Sequence, residues 1–343
     1  MSTPEPVTFV YKTFTNVDGE ETSIPVDVYL PATEGSEPIT PVIWVHTGGF
    51  LQGTRKFVPP HFLRALERHK LALIAPDFRL CPQVTIREVL VDVVDCVRWT
   101  LDETVRASSG LKSTQLSTSR YVLGGSSAGG WPALLLGLGL HDLAITLPQP
   151  PIAVFSIYAI TTVTRDLAPF FYETQKPLAW AVDGKPIKRE PLEEEGHMQK
   201  CLDDKHNLIK ASSPSSVKIR TEAPPASNPV RAALYNFARQ EACFPDLILA
   251  DPAEAPSVCT PTLIRTKMRV RTSTSHVSVL ICYGDSDPKV PHSQSVHVVE
   301  ALKSVGYTGD DLLVLEEKGA DHLFDMEPTS EIEGMWEWVA SKI

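Results

Sequence analysis

Tyr121-Val-Leu-Gly-Gly-Ser-Ser-Ala-Gly-Gly130 passes from a short apolar run, through paired glycines, into the apolar segment Trp131 to Leu140. That order predicts a strand, a sharp turn and a helix. Inside it lies G-x-S-x-G, as Gly125-Ser126-Ser127-Ala128-Gly129. Ser127 is the central serine, because centring on Ser126 would not leave both flanking positions glycine. The pattern is that of a nucleophile elbow, in which a strained strand-to-helix turn exposes a serine hydroxyl. A Cβ at the glycine positions would collide with the adjoining strand or helix. The helix N-terminus then directs backbone N–H groups at the reacting centre. Alone the motif is loose, and a Gly/Ser-rich turn in any α/β unit would satisfy it.

Upstream, Thr8 to Thr13 and Ser23 to Leu30 read as strands, the second placing Ile24, Val26, Val28 and Leu30 on one face. Val17 to Glu20 is the turn between them. Pro41 to Val45 is a third strand, and Pro59 to Lys70 reads as a helix with Phe62, Leu63 and Leu66 near one face. Leu71 to Ala75 is a buried strand, and Val84 to Leu101 a long helix whose Trp99 is expected against the sheet. After the elbow come strands at Ile152 to Tyr158, Ser278 to Tyr283 and Leu312 to Leu315. Helices follow at His292 to Val305 and from about Thr329. Strands alternating with helices predict a mainly parallel sheet covered on both faces, with the first strands antiparallel.

Between about Thr164 and Thr262 regularity breaks into proline, charge and isolated aromatics. Lys188 to Glu195 reads as a solvated face and Glu222 to Pro229 as a linker. The whole stretch is expected to be a mostly helical cap (164–262) inserted into a core of residues 1–163 and 263–343.

The 343 residues suffice for a large core, and the net charge of 32 − 42 = −10 argues against nucleic acid or an anionic membrane surface as partners. The six cysteines are scattered, without C-x-x-C, as expected for reduced thiols. No secretory signal opens the sequence, and no apolar run approaches the roughly 20 residues of a membrane span. A cytoplasmic protein is expected. The terminal Ser341-Lys342-Ile343 is close to the Ser-Lys-Leu peroxisomal address, and reads equally as the end of the last helix. No H-E-x-x-H, phosphate loop or G-x-G-x-x-G implies a metal or cofactor, so none is expected.

A second signal follows the third strand, in His46-Thr47-Gly48-Gly49-Phe50. Glycines there let a backbone approach a substrate oxygen to about 3 Å with N–H groups aimed at it. Gly48, Gly49 and Ala128 are the candidate oxyanion donors. Three further candidates stand after three separate strands, in the order Ser127, Asp287, His322. Asp285 and Asp321 are rivals for the acid. Asp287 is preferred because it precedes Pro-Lys-Val-Pro at the turn of its loop, whereas Asp321 does not follow a sheet strand in the required way.

These motifs together resemble those of α/β-hydrolases of the hormone-sensitive-lipase-like carboxylesterase group. His46-Thr-Gly-Gly-Phe50 is similar to that group's His-Gly-Gly-Gly, and Asp77-Phe-Arg-Leu-Cys-Pro82 to its Asp-Tyr-Arg-Leu-Ala-Pro. Gly125-Ser-Ser-Ala-Gly-Gly130 is similar to its Gly-Asp-Ser-Ala-Gly-Gly. The resemblance spans roughly residues 40 to 325 apart from most of the cap, and its overall look is that of fungal biosynthetic members. It implies an α/β-hydrolase fold with a mainly parallel eight-stranded sheet flanked by helices. It also implies a Ser127–His322–Asp287 triad acting on a small-molecule ester or thioester through an acyl-enzyme.

Thr47 and Ser126 depart from the group's pattern, and a short N-terminal segment leaves the later insertion to supply the lid. Phe50, Ser126, Trp180 and Leu323 are expected at the substrate pocket. Two other functions remain open on the same scaffold. One is a biosynthetic enzyme that releases or cyclises an acyl group, or does acid–base chemistry, without net hydrolysis. The other is a silent small-molecule-binding protein like the gibberellin-receptor members, which the presence of His322 disfavours.

Overall fold

The computed structural model describes residues 5–15, 19, 21–32, 38–108, 116–144, 146–181, 184–187, 229–268 and 277–343. The charged run at 188–195 and the linker signal over 222–228 lie outside the described residues, as does most of the turn at 17–20. The strands are β1 (Val7–Thr15), β2 (Glu21–Tyr29), β3 (Thr40–Val45), β4 (Leu71–Pro76), β5 (Val122–Ser126), β6 (Ala153–Ile157), β7 (Ser278–Gly284) and β8 (Leu312–Glu317). They form one eight-stranded sheet in the order β1-β2-β4-β3-β5-β6-β7-β8. β1 and β2 run antiparallel to their neighbours, and β4-β3-β5-β6-β7-β8 are mutually parallel.

The parallel strands are apolar on both faces because both faces are covered. Along β4, Leu71, Leu73 and Ala75 join one hydrophobic cluster while Ala72 and Ile74 join the other. The first cluster is closed by α1 (Pro60–His69) and by the last helix. Phe62, Ala65 and Leu66 of α1 are buried at helical spacing. Trp336 meets Phe62 edge-on at 4.8 Å and Phe155 at 6.2 Å. The second cluster is closed by α2 (Ile86–Leu101) and α4 (Gly130–Gly137), a six-residue α3 (Glu103–Ser108) lying between them in sequence. A capping box of Thr85 and Glu88 starts α2 two residues later than its apolar periodicity predicts. Trp99 packs on Phe9 of β1, with ring centroids 5.8 Å apart.

Between β6 and β7 the described residues form a 3-10 turn at Pro169–Tyr172 and the helices α5 (Pro229–Gln240), α6 (Phe244–Ile248) and α7 (Thr260–Lys267). After β7 come α8 (Ser293–Ser304) and α9 (Met335–Ser341). The terminal helix thus begins later than Thr329. The segment before it is spent on a 3-10 turn at Phe324–Met326 and a loop that ends at Gly334 with φ 78°. No helix among the described residues is long and apolar enough to cross a membrane.

A buried ion network ties the antiparallel edge to the loops that follow β3 and β4. Arg55 donates from Nε to Asp27 Oδ1 at 2.8 Å, and from Nη1 to Asp77 Oδ2 at 2.6 Å. Its amide donates to Asp77 Oδ1 at 2.6 Å. The neighbouring Arg79 forks onto Asp92 of α2, which also accepts from Lys12 of β1 at 2.7 Å. Asp77 and Arg79 of the Asp-Phe-Arg-Leu-Cys-Pro motif therefore act as struts. Removing one partner of a buried pair leaves an uncompensated charge. Arg55→Met is expected to destabilise the fold by about 3–5 kcal/mol. Urea denaturation is the check, and a loss below about 1 kcal/mol would show that the network does not brace the fold.

Candidate active site

β5 delivers Ser127 to the carboxyl edge of the sheet, where sites of such sheets lie. Its φ is 54°, in the left-handed region where a side chain is strained. The turn is possible because its glycines leave no Cβ. At Gly125 a Cβ would lie 2.1 Å from Gly129 O, and at Gly129 2.1 Å from Val45 O. The Ser127 carbonyl accepts from the Ile160 amide at 3.1 Å, which pins the elbow to the chain leaving β6.

Asp287 and His322 come from the loops after β7 and β8. These loops are zipped together: Asp285 N donates to Glu317 O, Ser286 N to Ala320 O, and Gly319 N to Asp285 Oδ1 at 2.6 Å. The Gly319 amide, then the Ser286 hydroxyl, hold the exposed Asp285 carboxyl below the usual carboxylate range. Asp285, the rival acid, is thus a loop brace. Asp287 Oδ1 accepts from the amides of Lys289 (2.8 Å) and Val290 (3.0 Å). Its Oδ2 faces His322 Nδ1 at 2.6 Å, and His322 Nε2 faces Ser127 Oγ at 3.0 Å. A carboxylate already accepting two N–H groups assigns the imidazole proton to Nδ1, which donates to Asp287. Nε2 is left to accept from the Ser127 hydroxyl. Asp321 is exposed.

The loop after β3 lies beside the elbow. Gly48 and Gly49 have φ of 127° and 62°, and neither amide donates to an acceptor among the described residues. Gly48 O instead accepts from the amides of Leu51 and Gln52, each at 3.1 Å. A Cβ on Gly49 would lie 2.3 Å from the ring of Tyr235 on α5. His46 stacks on Phe78 at 4.1 Å, and its Nδ1 lies 2.7 Å from the Thr47 carbonyl. Burial, opposed by the Asp77 charge, lowers its pKa and keeps it neutral, a structural member of the loop. Phe78 and the bond from Cys81 N to Phe50 O (2.9 Å) show what the second half of the motif does: it backs the glycine loop.

Of the four expected pocket residues, two are buried and two half-buried. Phe50 is fully buried and packs on Trp131 at 5.9 Å, so it belongs to the core. Ser126 is buried and accepts from Trp44 Nε1 at 3.2 Å. Trp180 is half-buried, donating to Asn236 Oδ1 at 3.1 Å, and Leu323 is half-buried with φ 68°. Among the described residues no cluster of three or more His, Cys, Asp or Glu is placed to hold a metal ion.

The residues missed by sequence reasoning are Tyr158 and Asp325. Tyr158, at φ 39° directly after β6, lays its ring 4.7 Å from that of His322. Its hydroxyl donates to Asp325 Oδ1 at 2.5 Å. Asp325 Oδ2 lies 3.3 Å from His61 Nε2, and His61 Nδ1 accepts from Trp336 Nε1 at 2.9 Å. An indole N–H only donates, so His61 is the neutral Nε2–H tautomer and gives that proton to Asp325. Burial first, then the Asp325 charge, raises the Tyr158 pKa well above the ordinary phenol value. Tyr158→Phe removes one donor from a fully buried carboxylate and is expected to destabilise the protein by about 1–3 kcal/mol. The midpoint of thermal unfolding measures it, and an unchanged midpoint would mean that the hydroxyl carries no such bond.

Residues 42–183 match the family model described as the alpha/beta hydrolase fold. Among solved structures, a fungal esterase from Rhizomucor miehei superposes with a TM-score of 0.61 at 16% identity, covering 99% of this chain and 84% of that one. A thermostable carboxylesterase cloned from a metagenomic library gives 0.59 at 16% identity, covering 100% and 90%. Among curated proteins, the chain is 24% identical over 333 residues to the non-reducing polyketide synthase ascC of Acremonium egyptiacum, covering 93% of this chain. It is 27% identical over 344 residues to the non-reducing polyketide synthase stbA of Stachybotrys bisbyi, covering 97% of this chain. The chain spans 14% of the length of each of these synthases. Sheet order, elbow, family match and superposition agree: the chain has the α/β-hydrolase fold.

Proposed function

We propose that the protein is a serine hydrolase that cleaves a carboxylic ester or thioester of a moderately hydrophobic small molecule. The observation that carries this reading is the unbroken line from Ser127 Oγ through His322 to Asp287, at 3.0 and 2.6 Å. In it, Ser127 Oγ attacks the acyl carbon as His322 Nε2 takes its proton, and Asp287 stabilises the imidazolium. The oxyanion is held by the amides of Gly48, Gly49 and Ala128. The tetrahedral adduct collapses, His322 returns the proton to the departing alcohol or thiol, and the acyl group stays on Ser127. Water, deprotonated by His322, then releases the acid.

The stretch 164–262 is taken as the cap over this site. Supporting that division, Tyr235 of α5 stands on Gly49. The boundary near 262 falls inside α7, whose Thr260 amide bonds the Thr161 carbonyl at 3.0 Å.

A second reading, acyl release or cyclisation in biosynthesis without net hydrolysis, is favoured by the likeness to polyketide synthases over nearly the whole chain. Hydrolysis of p-nitrophenyl esters from acetyl to decanoyl tests the first reading. Ser127→Ala is expected to lower kcat by about 10⁴-fold or more while the fold is retained. Undiminished turnover in that variant would falsify the assignment of Ser127. Reaction in oxygen-labelled water separates the two readings, since a product without solvent oxygen excludes simple hydrolysis.

A further inference from the structure

Arg239, on α5, is one of the largest fully buried side chains of the protein, at 1% exposure. It stands over an aromatic floor, its guanidinium carbon 4.8 Å from the Phe171 ring centroid and 5.2 Å from that of Phe170. Such contacts stabilise a cation in part. Among the described residues its Nε and Nη1 have no hydrogen-bond partner, and no carboxylate forms an ion pair with it. Glu173, whose charge acts on it, is exposed. Burial lowers its pKa, the Tyr235 and Glu173 charges opposing. A buried guanidinium is among the most expensive groups to leave unpaired, and proteins normally supply it with a carboxylate. Among the described residues, Arg55 is paired in this way with Asp27 and Asp77, and Arg79 with Asp92.

What surrounds Arg239 connects it to the candidate site. Phe171 stacks on Phe244 at 4.8 Å, and Phe244 meets Tyr235 edge-on at 5.8 Å. Tyr235 lies four residues before Arg239, one helical turn or about 6 Å along the axis. Its ring rests on Gly49, and its hydroxyl donates to no acceptor among the described residues. An apolar aromatic wall with a few convergent donors is the usual build of a small-molecule pocket.

We propose that Arg239, with the Tyr235 hydroxyl, is an anion-recognition subsite of the substrate pocket, and that the substrate carries a carboxylate away from its scissile bond. This rests on the ester- or thioester-cleavage reading above and narrows it. The guanidinium forks onto the two carboxylate oxygens, a geometry lysine does not reproduce.

The test compares kcat/KM for esters matched in size and differing in charge. p-Nitrophenyl hydrogen adipate against p-nitrophenyl hexanoate probes a carboxylate on the acyl side. 4-Acetoxybenzoate against its methyl ester probes one on the leaving-group side. Each acid/neutral ratio is measured in wild type and in Arg239→Met, so that intrinsic reactivity cancels. On one of the two arms the ratio is expected to fall by about tenfold to a hundredfold in Arg239→Met. A smaller fall is expected in Arg239→Lys, which keeps the charge. Ratios that do not change between wild type and Arg239→Met on either arm overturn the proposal. Should Arg239→Met fail to fold, by circular dichroism, Arg239→Lys and Tyr235→Phe carry the same comparison. If no ester is turned over, the hydrolase reading has failed, and the subsite is judged separately by thermal shift. Adipate is expected to raise the Tm of wild type and of Ser127→Ala but not that of the Arg239 variant. Equal shifts in all three, or none in wild type, overturn the subsite.

Discussion

Everything at the carboxyl edge of the sheet depends on one tight crossing, where the turn after β5 presses against the end of β3. Gly129 approaches the Val45 carbonyl so closely that a Cβ would sit 2.1 Å from its oxygen. That approach sets the start of α4 beside the Gly48–Gly49 loop, and forces Ser127 to φ 54° at the apex. A left-handed serine is unfavourable by itself. It sits at the end of a strand held in parallel register with β3 on one side and β6 on the other. Strain recurs around the same point: Phe50, Tyr158 and Leu323 also have positive φ, each in a loop leaving a strand of this edge.

The loops at this edge are held by buried polar bonds as well as by apolar packing. Asp77 and Arg55 fasten the segment behind the glycine loop, and Asp325 fastens the His322 loop to Tyr158 and α1. Apolar contact is non-directional and cannot fix a ring plane. A carboxylate accepting from two rigid donors can, and in a buried setting it tolerates little deviation. His322 is therefore constrained from both sides, by Asp287 on one ring nitrogen and by the ring of Tyr158 across its face.

This division explains what was legible in the sequence. Continuous apolar runs such as Leu71 to Ala75 announce strands buried on both faces, and strand-end loops then put Ser127, Asp287 and His322 at one edge by topology alone. What periodicity does not encode is the pairing of single polar residues far apart in the chain. Asp325 and His61 are 264 positions apart, so neither shows its role locally. The terminal helix starts late for a related reason, since the chain from His322 to Asp325 is shaped by contacts with Tyr158 and His61. Phe50 and Ser126, two of the expected pocket residues, are both buried, as Ser127 itself is.

The three candidate catalytic residues and the helix beside them are held in different ways. Ser127, Asp287 and His322 are fixed through strands whose register is shared across the sheet, so displacing one disturbs its neighbours. α5 meets the glycine loop through the ring of Tyr235, by packing. A packed helix face tolerates exchange of side chains so long as volume is kept. On α5, Arg239 departs from a mostly apolar buried face, at 1% exposure. A charge buried there with no ion-pair partner among the described residues is costly, which is why the proposed subsite is placed on it.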